Sequence, residues 1–329
     1  MNIQIKEKSY DKFNGKISSQ LVLEMKGINE IIANTMRRIA QDDLPVYGFP
    51  SELIDIDQNT STFNNDYMRD HLSQLPIVGQ DCGLSYLDPM LWKDVDYRDL
   101  ARQKHPSEKN IELYINIHNV SPEIMNVRTD NAKVYVDGEL VDMYTSYTEK
   151  PLLVQLVPNA TFKCHMRSAL GTGERNNLWG SALAFYHKEK DTIIFTIESF
   201  GQFDEYTILI KCCEYISDKL TELEKNIKLR VAEGKIPNKK AIFLELEDED
   251  HTVGNILNDV LQDHPNIIYS GVAKQDHLVK TIRISVECDQ KYPTPIEPLF
   301  QSIETVKQIY KTIKKQLVLL SEKKVSKSK

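Results

Sequence analysis

This 329-residue chain has no run of the roughly 18 consecutive apolar residues that a membrane-spanning helix needs, and no membrane partner is expected. Its five cysteines, Cys82, Cys164, Cys212, Cys213 and Cys288, are scattered and odd in number, and none stands in a C-x-x-C pair. A disulfide framework and a zinc knuckle both lack their usual signature. A basic excess is missing too: the formal net charge is −7, unlike a domain whose main task is to coat nucleic acid. The opening residues, MNIQIKEKSYDK, hold no apolar core of a signal peptide, so the chain is expected to be intracellular. What is plentiful is apolar side chain, 41% of the residues, enough for two or three domains with cores of their own.

An internal repeat organises the sequence. Its second copy is compact. AIFLELEDED (241–250) alternates like a strand and ends in an acidic run. HTVGNILNDVLQDHP (251–265) then puts Val253, Ile256, Leu257, Val260 and Leu261 on one helical face, with Thr252 or Asp250 as N-cap and Pro265 as the stop. NIIYSGV (266–272) and VKTIRISVEC (279–288) read as strands. A long helix follows, with Leu299, Ile303, Val306, Tyr310, Ile313, Leu317 and Leu320 in alternating steps of four and three. That is a heptad seam, which fits a partner helix or a sheet of its own domain.

The first copy starts with SQLVLEMKG (19–27) and a helix bearing Ile28, Ile31, Ile32, Met36 and Ile39 on one face. LEMKGINEIIANTMRRIAQDDLP (23–45) overlays LELEDEDHTVGNILNDVLQDHP (244–265), with Asn34 on Asn255. DTIIFTIESF (191–200) matches the later alternating strand. After it, Leu209, Cys213, Ile216, Leu220, Leu223 and Ile227 make a second heptad seam. Each half therefore reads strand, helix, strand, strand, long helix, and the two seams supply each other's partner.

The expected fold class is α+β: two dimerisation domains, each a sheet plus long helices, forming an intramolecular pseudo-dimer. The first, 1–46 plus 186–229, is split by a mainly β insert over 47–185. A linker covers 230–240, the second domain 241–321, and a disordered basic tail 322–329. The pseudo-dimer interface is expected at Ile32, Met36, Ile39, Leu209, Ile216, Leu220 and Leu223 in the first half. In the second it is expected at Val253, Ile256, Val260, Ile303, Val306, Tyr310, Ile313 and Leu317.

Several stretches resemble the assembly subunits of multisubunit DNA-directed RNA polymerases. These are the bacterial alpha N-terminal domain, the archaeal D and L pair, and the third and eleventh eukaryotic subunits. NTMRRIAQDDLPVYGFPSELIDIDQNTSTFNNDYMRDHLSQLPI (34–77) is similar to the Asn-x-x-Arg-Arg helix and the Asn-Thr-Ser strand of the large partner. MRSALGTGERNNLWGSALAFY (166–186) resembles its Gly-x-Gly loop with a downstream Trp, and DTIIFTIESFG (191–201) the strand before its dimer helix. ELEDEDHTVGNILNDVL (245–261) and HPNIIYSGV (264–272) resemble the small partner. Both partners in one chain resemble the fused subunit of large nucleocytoplasmic DNA viruses.

The resemblance implies a non-catalytic scaffold that nucleates the second-largest and largest subunits and then small adaptor subunits, with little direct nucleic-acid contact. It implies no cofactor in this chain, the catalytic magnesium lying in the largest subunit. It places a viral protein in host cytoplasm and virion, and a cellular one in the nucleus. Many large partners hold zinc or an iron–sulfur cluster on closely spaced cysteines of the insert. Here Cys82 and Cys164 stand far apart, and no metal is expected.

Candidate residues carry open alternatives. Arg37 and Arg38 either pair with Asp42 and Asp43 one turn on or, as the resemblance implies, reach a large catalytic subunit together with Asn34. Trp179 and Arg175, on the loop GTGERNNLWG (171–180), form either a protein contact or, for the Trp, part of a core. That loop lacks the Gly-Lys-Ser/Thr of a phosphate loop. The acidic run Glu245 to Asp250 favours the positive end of the following helix without any metal. No His, Cys or Ser stands at a nucleophile-like spacing, so the competing reading of a free-standing enzyme finds no constellation. A cellular adaptor of polymerase-like fold is the other competitor.

Overall fold

In the computed structural model, residues 1–329 are described except 14, 15, 100, 148, 238, 277, 278, 290, 328 and 329. The first half opens with β1 (Asn2–Phe13) and β2 (Lys16–Lys26), a long antiparallel hairpin. On β2, Leu21, Leu23 and Met25 are wholly buried at alternate positions, so the strand has one core face. Helix α1 (Glu30–Arg38) follows, its first turn capped by Asn29, whose side chain accepts from Ile32 N–H at 3.0 Å.

The expected helix bearing Ile28 to Ile39 is not uniform to its end. It widens into a π-turn at Ile39–Asp43. The repeat explains why: the first copy is one residue longer between Asn34 and Pro45 than the second between Asn255 and Pro265. A π-turn absorbs one inserted residue without shifting the face that follows, and Ile39 and Ala40 both stay buried.

β3 (Val46–Gly48) leads into the insert and pairs antiparallel with β11 (Ala169–Gly171), the strand that leaves it. Between them lie β4 (Ile54–Asn59), α2 (Asn65–Ser73), β5 (Ile111–His118), β6 (Met125–Arg128), β7 (Lys133–Val136), β8 (Glu139–Val141), β9 (Leu152–Leu156) and β10 (Thr161–Arg167). The five-stranded sheet β4-β10-β5-β7-β8 and the pair β6-β9 enclose a core of their own around Phe49, Ile111, Leu113 and Phe162.

The chain then returns to the first sheet through β12 (Ala182–Glu189) and β13 (Thr192–Ser199), giving the order β1-β2-β13-β12. β12 starts inside the span expected for the insert, so the expected boundary at 185/186 cuts a strand. Helix α3 (Glu205–Ala232) closes this half, capped by Asp204. It runs three residues into the span expected as linker.

The second half repeats the plan with β14 (Ala241–Glu247), α4 (His251–Gln262), β15 (Ile267–Ala273), β16 (Thr281–Cys288) and α5 (Ile296–Lys327). Its sheet order, β14-β16-β15, is that of β2-β13-β12. The left-handed residue that ends β2, Gly27 at φ +72°, has its counterpart in Asp248 at φ +54°. The N-cap of α4 is Asp250, which accepts from Thr252 N–H at 2.7 Å, so Thr252 is not the cap. α5 continues through most of the segment expected as a disordered tail. Residues 328 and 329 of that tail lie outside the described residues.

A single core runs through both halves. It joins Leu21, Leu23, Met36, Phe195, Leu209, Ile216 and Leu220 to Leu244, Ile256, Ile303, Tyr310 and Leu317. The fold is therefore α+β, two alpha-subunit-like units in an intramolecular pseudo-dimer with a mainly β insert in the first.

Candidate functional site at the seam between the halves

The seam is built from α1, α3, α4 and α5. α3 and α5 pack through their heptad faces, burying Leu209, Ile216, Leu220 and Leu223 with Ile303, Val306, Tyr310, Ile313 and Leu317. Ion pairs flank the stripe: Lys307 meets Glu224 at 2.8 Å and Lys314 meets Glu214 at 2.7 Å. Residue numbers rise on one helix as they fall on the other, so the pair is antiparallel. Ile32, Met36, Ile39, Val253 and Ile256 join the same core, while Val260 is half-buried against it.

α1 and α4 meet across the pseudo-twofold. Arg38 contacts Asp250, the α4 cap, at 2.7 Å. Asn29, the α1 cap, donates to Asp259 at 2.6 Å. In the overlay Asn29 stands on Asp250 and Arg38 on Asp259. The cap of each helix thus binds the ninth residue after the cap of the other, the reciprocal pattern of an isologous interface. A cleft of about 170 Å³ lies at this crossing, with Asn34 and Asn255 both lining it.

The acidic run acts here as well as on the helix dipole. Asp248 pairs with Lys93 of the insert at 2.7 Å, Glu249 with Lys219 of α3 at 2.9 Å, and Asp250 with Arg38. Each link ties the second half to the first. Burial works against charge on Lys219, but Glu249 outweighs it and holds the ammonium above its ordinary pKa. Burial pushes the Glu249 carboxyl up, with Lys219 opposing. Burial would raise Asp250 as well, yet the Thr252 hydrogen bonds and Arg38 hold it below the usual range. Lys280 adds a further link to Glu174.

Asp43 sits at the end of the π-turn among these groups. Burial, with Asp250 and Glu174 beside it, lifts its carboxyl to about 7 against the pull of Lys280.

The glycine loop wraps the C-terminal end of this helix. Helix C-termini leave carbonyls without partners; here Glu174 N–H donates to Asp42 O at 2.7 Å and Ser181 Oγ donates to Ala40 O. Close approach explains the glycines: a Cβ on Gly173 would lie 2.2 Å from Gln41 O, and one on Gly171 would lie 2.7 Å from the Trp179 ring. Trp179 is 3% exposed, and its indole N–H donates to Ala169 O at 3.0 Å. The contact role weighed for Trp179 is therefore corrected: it is a core residue. Arg175, half-buried, is engaged within the chain. Its guanidinium donates to the carbonyls of Trp92 and Val95 and lies 4.3 Å from the centre of the Tyr97 ring, which clamps the loop internally.

Neither arginine of the Arg-Arg pair makes an ion pair with Asp42 or Asp43. Arg37 bonds Asn34 at 3.1 Å and Gln41, staying on its own helix. Arg38, one-third exposed, reaches Asp250 instead. Lys93, Lys219, Lys280 and Asp259 carry seam contacts that sequence patterns did not single out. Among the described residues, no three His, Cys, Asp or Glu side chains are grouped to hold a metal ion, and no helix is long and apolar enough to cross a membrane.

Residues 241–316 match the RNA polymerase Rpb3/Rpb11 dimerisation domain. Along 316 residues, 88% of this chain and 88% of the relative, the chain is 26% identical to an Acanthamoeba polyphaga mimivirus protein that bears the name of a DNA-directed RNA polymerase subunit. The matched domain is the second half of the pseudo-dimer, β14 to α5. The mimivirus likeness extends over most of the chain and so is not confined to the matched domain.

Proposed function

We propose that the chain is a non-catalytic assembly subunit of a DNA-directed RNA polymerase that nucleates the second-largest and then the largest subunit. The observation that carries this reading is the reciprocal seam. Arg38–Asp250 and Asn29–Asp259 are equivalent contacts in a repeat whose second copy is an Rpb3/Rpb11 dimerisation domain. Such a dimer acts by geometry: it holds two faces in fixed register for large partners. Fusion keeps the halves at an effective concentration on the order of millimolar, so they need not find each other in solution.

On this reading the units are the first domain, up to 46 and resuming with β12 and α3, the insert between them, and the second domain from 241. Small adaptor subunits complete the assembly, direct nucleic-acid contact is slight, and no cofactor belongs to this chain; the catalytic magnesium belongs to the largest subunit. The mimivirus relative supports a viral origin, and on this reading the chain acts in host cytoplasm and is packaged in the virion. Asn34 and Arg37 are the surface candidates for a large partner, since Arg38 is already engaged at the seam.

Co-expression with the second-largest subunit of the same source tests the reading by gel filtration. A stable complex that Arg37→Glu weakens, with the free variant still folded, is expected. Absence of any complex overturns the scaffold role, and undiminished capture removes Arg37 from the surface.

A further inference from the structure

The two halves differ in one element. In the first sheet β1 covers the outer edge of β2, whereas in the second sheet β14 is itself the edge. Cys288 N–H bonds Lys240 O, which sets the parity of β14: Ala241, Phe243, Glu245 and Glu247 turn their backbone groups away from β16. Among the described residues no backbone hydrogen bond reaches that outer edge; one side chain does, Arg230 donating to Glu245 O at 2.8 Å. Phe243 is 64% exposed. An open strand edge of this kind accepts another strand.

The seat beside it is furnished. In the first half β1 lies between β2 and the C-terminal part of α5. There Gln316 accepts from Ile3 N–H at 2.8 Å and donates to Met1 O at 3.2 Å, so one carboxamide holds the incoming strand. Overlaying the heptad positions of α3 on α5, Leu209 on Leu299 through Ile227 on Leu317, places Asn226 on Gln316. Asn226 is exposed and lines a groove of about 710 Å³ between α3 and β14, with Met90 of the insert, 76% exposed, also lining it. The groove also takes in Glu245 to Asp248, the counterparts of Glu24 to Gly27, and β1 pairs with that same stretch of β2.

Its charge defines the occupant. Among the described residues lining it, seven are acidic and three basic. Lys219 and Lys235 are already paired with Glu249 and Glu233, and among the described residues Glu222 and Glu247 meet no cation in an ion pair. The face of an added strand turned to α3 would meet Ile227 and Leu246 with Glu222 beside them, and the other would meet Glu245 and Glu247 past the exposed Phe243. We propose that the outer edge of β14 accepts an extended segment of a partner polypeptide whose side chains alternate apolar and basic, added antiparallel where β1 stands in the first half. The site does not depend on the polymerase reading.

The test uses the full chain and a short acetylated peptide alternating valine with lysine, followed by fluorescence anisotropy. Saturable binding is expected, roughly tenfold or more tighter than that of a valine–glutamate peptide. Phe243→Pro, which removes an edge-facing N–H from an edge strand that tolerates proline, should abolish it. Asn226→Ala and Glu247→Lys, both at exposed positions, should weaken it several-fold with unchanged circular dichroism, and they decide the matter if the proline variant does not fold. No saturable binding up to millimolar peptide, equal binding of the glutamate peptide, or undiminished binding by these variants overturns the proposal. Dimerisation of the chain itself that Phe243→Pro abolishes would give the edge to a second copy and also overturn it.

Discussion

Arg38 and Asp250 meet at 2.7 Å across the seam, and the same Asp250 carboxylate caps α4 through Thr252 N–H. One side chain therefore starts a helix and docks that helix on the other half. Loss of the cap costs about 1 kcal/mol, and the partly exposed ion pair adds about 0.5 kcal/mol. Asp250→Ala is thus expected to destabilise the chain two- to threefold more than Arg38→Ala, by about 1.5 against about 0.5 kcal/mol in urea unfolding. A double-mutant cycle should return a coupling of about 0.5 kcal/mol. Additive effects would mean that the pair is not formed in solution.

Asp43 gives the seam a pH dependence. Its folded-state pKa of about 7 lies above the ordinary 3.8, so the proton it holds stabilises the fold. That contribution is complete below the unfolded pKa and is lost as pH rises through about 7. Asp43→Asn removes a carboxylate that faces Asp42, Glu174 and Asp250 with Lys280 as the opposing cation. The variant is expected to gain on the order of 1–3 kcal/mol at about pH 8 and nothing below about pH 4. Thermal melts across that window check it; a variant destabilised equally at every pH would show that Asp43 does not titrate there.

Gly173 fixes the loop that closes the π-turn. Its Cβ position lies 2.2 Å from Gln41 O, a backbone atom that cannot swing aside. Gly173→Ala should push the loop off, break the Glu174 N–H to Asp42 O bond and destabilise the chain by about 1–3 kcal/mol. Amide exchange at Glu174 should rise with it. Unchanged exchange would place the loop elsewhere in solution.

What could be read from the sequence was whatever repeats at short range. The heptads of α3 and α5 and the overlay of Asn34 on Asn255 came from periodicity, because burial recurs with the helical turn. The π-turn was not legible, because the one residue by which the first copy exceeds the second leaves the apolar face of the helix unbroken. β1 was not: NIQIKEKSYDKF alternates weakly and reads as a polar opening segment. Nor were Lys93, Lys219 and Lys280, since a charge whose partner lies far along the chain leaves no local pattern. Trp179 stayed open between surface and core until the close approach of Gly171 placed it inside.

The central claim, that this pseudo-dimer assembles a polymerase, is tested most directly by affinity purification of the tagged chain from its native source, with mass spectrometry of what accompanies it. Two very large polymerase subunits in near-equal amount with the chain are the expected result. A chain that elutes alone as a folded monomer, with neither large subunit present, would contradict the account.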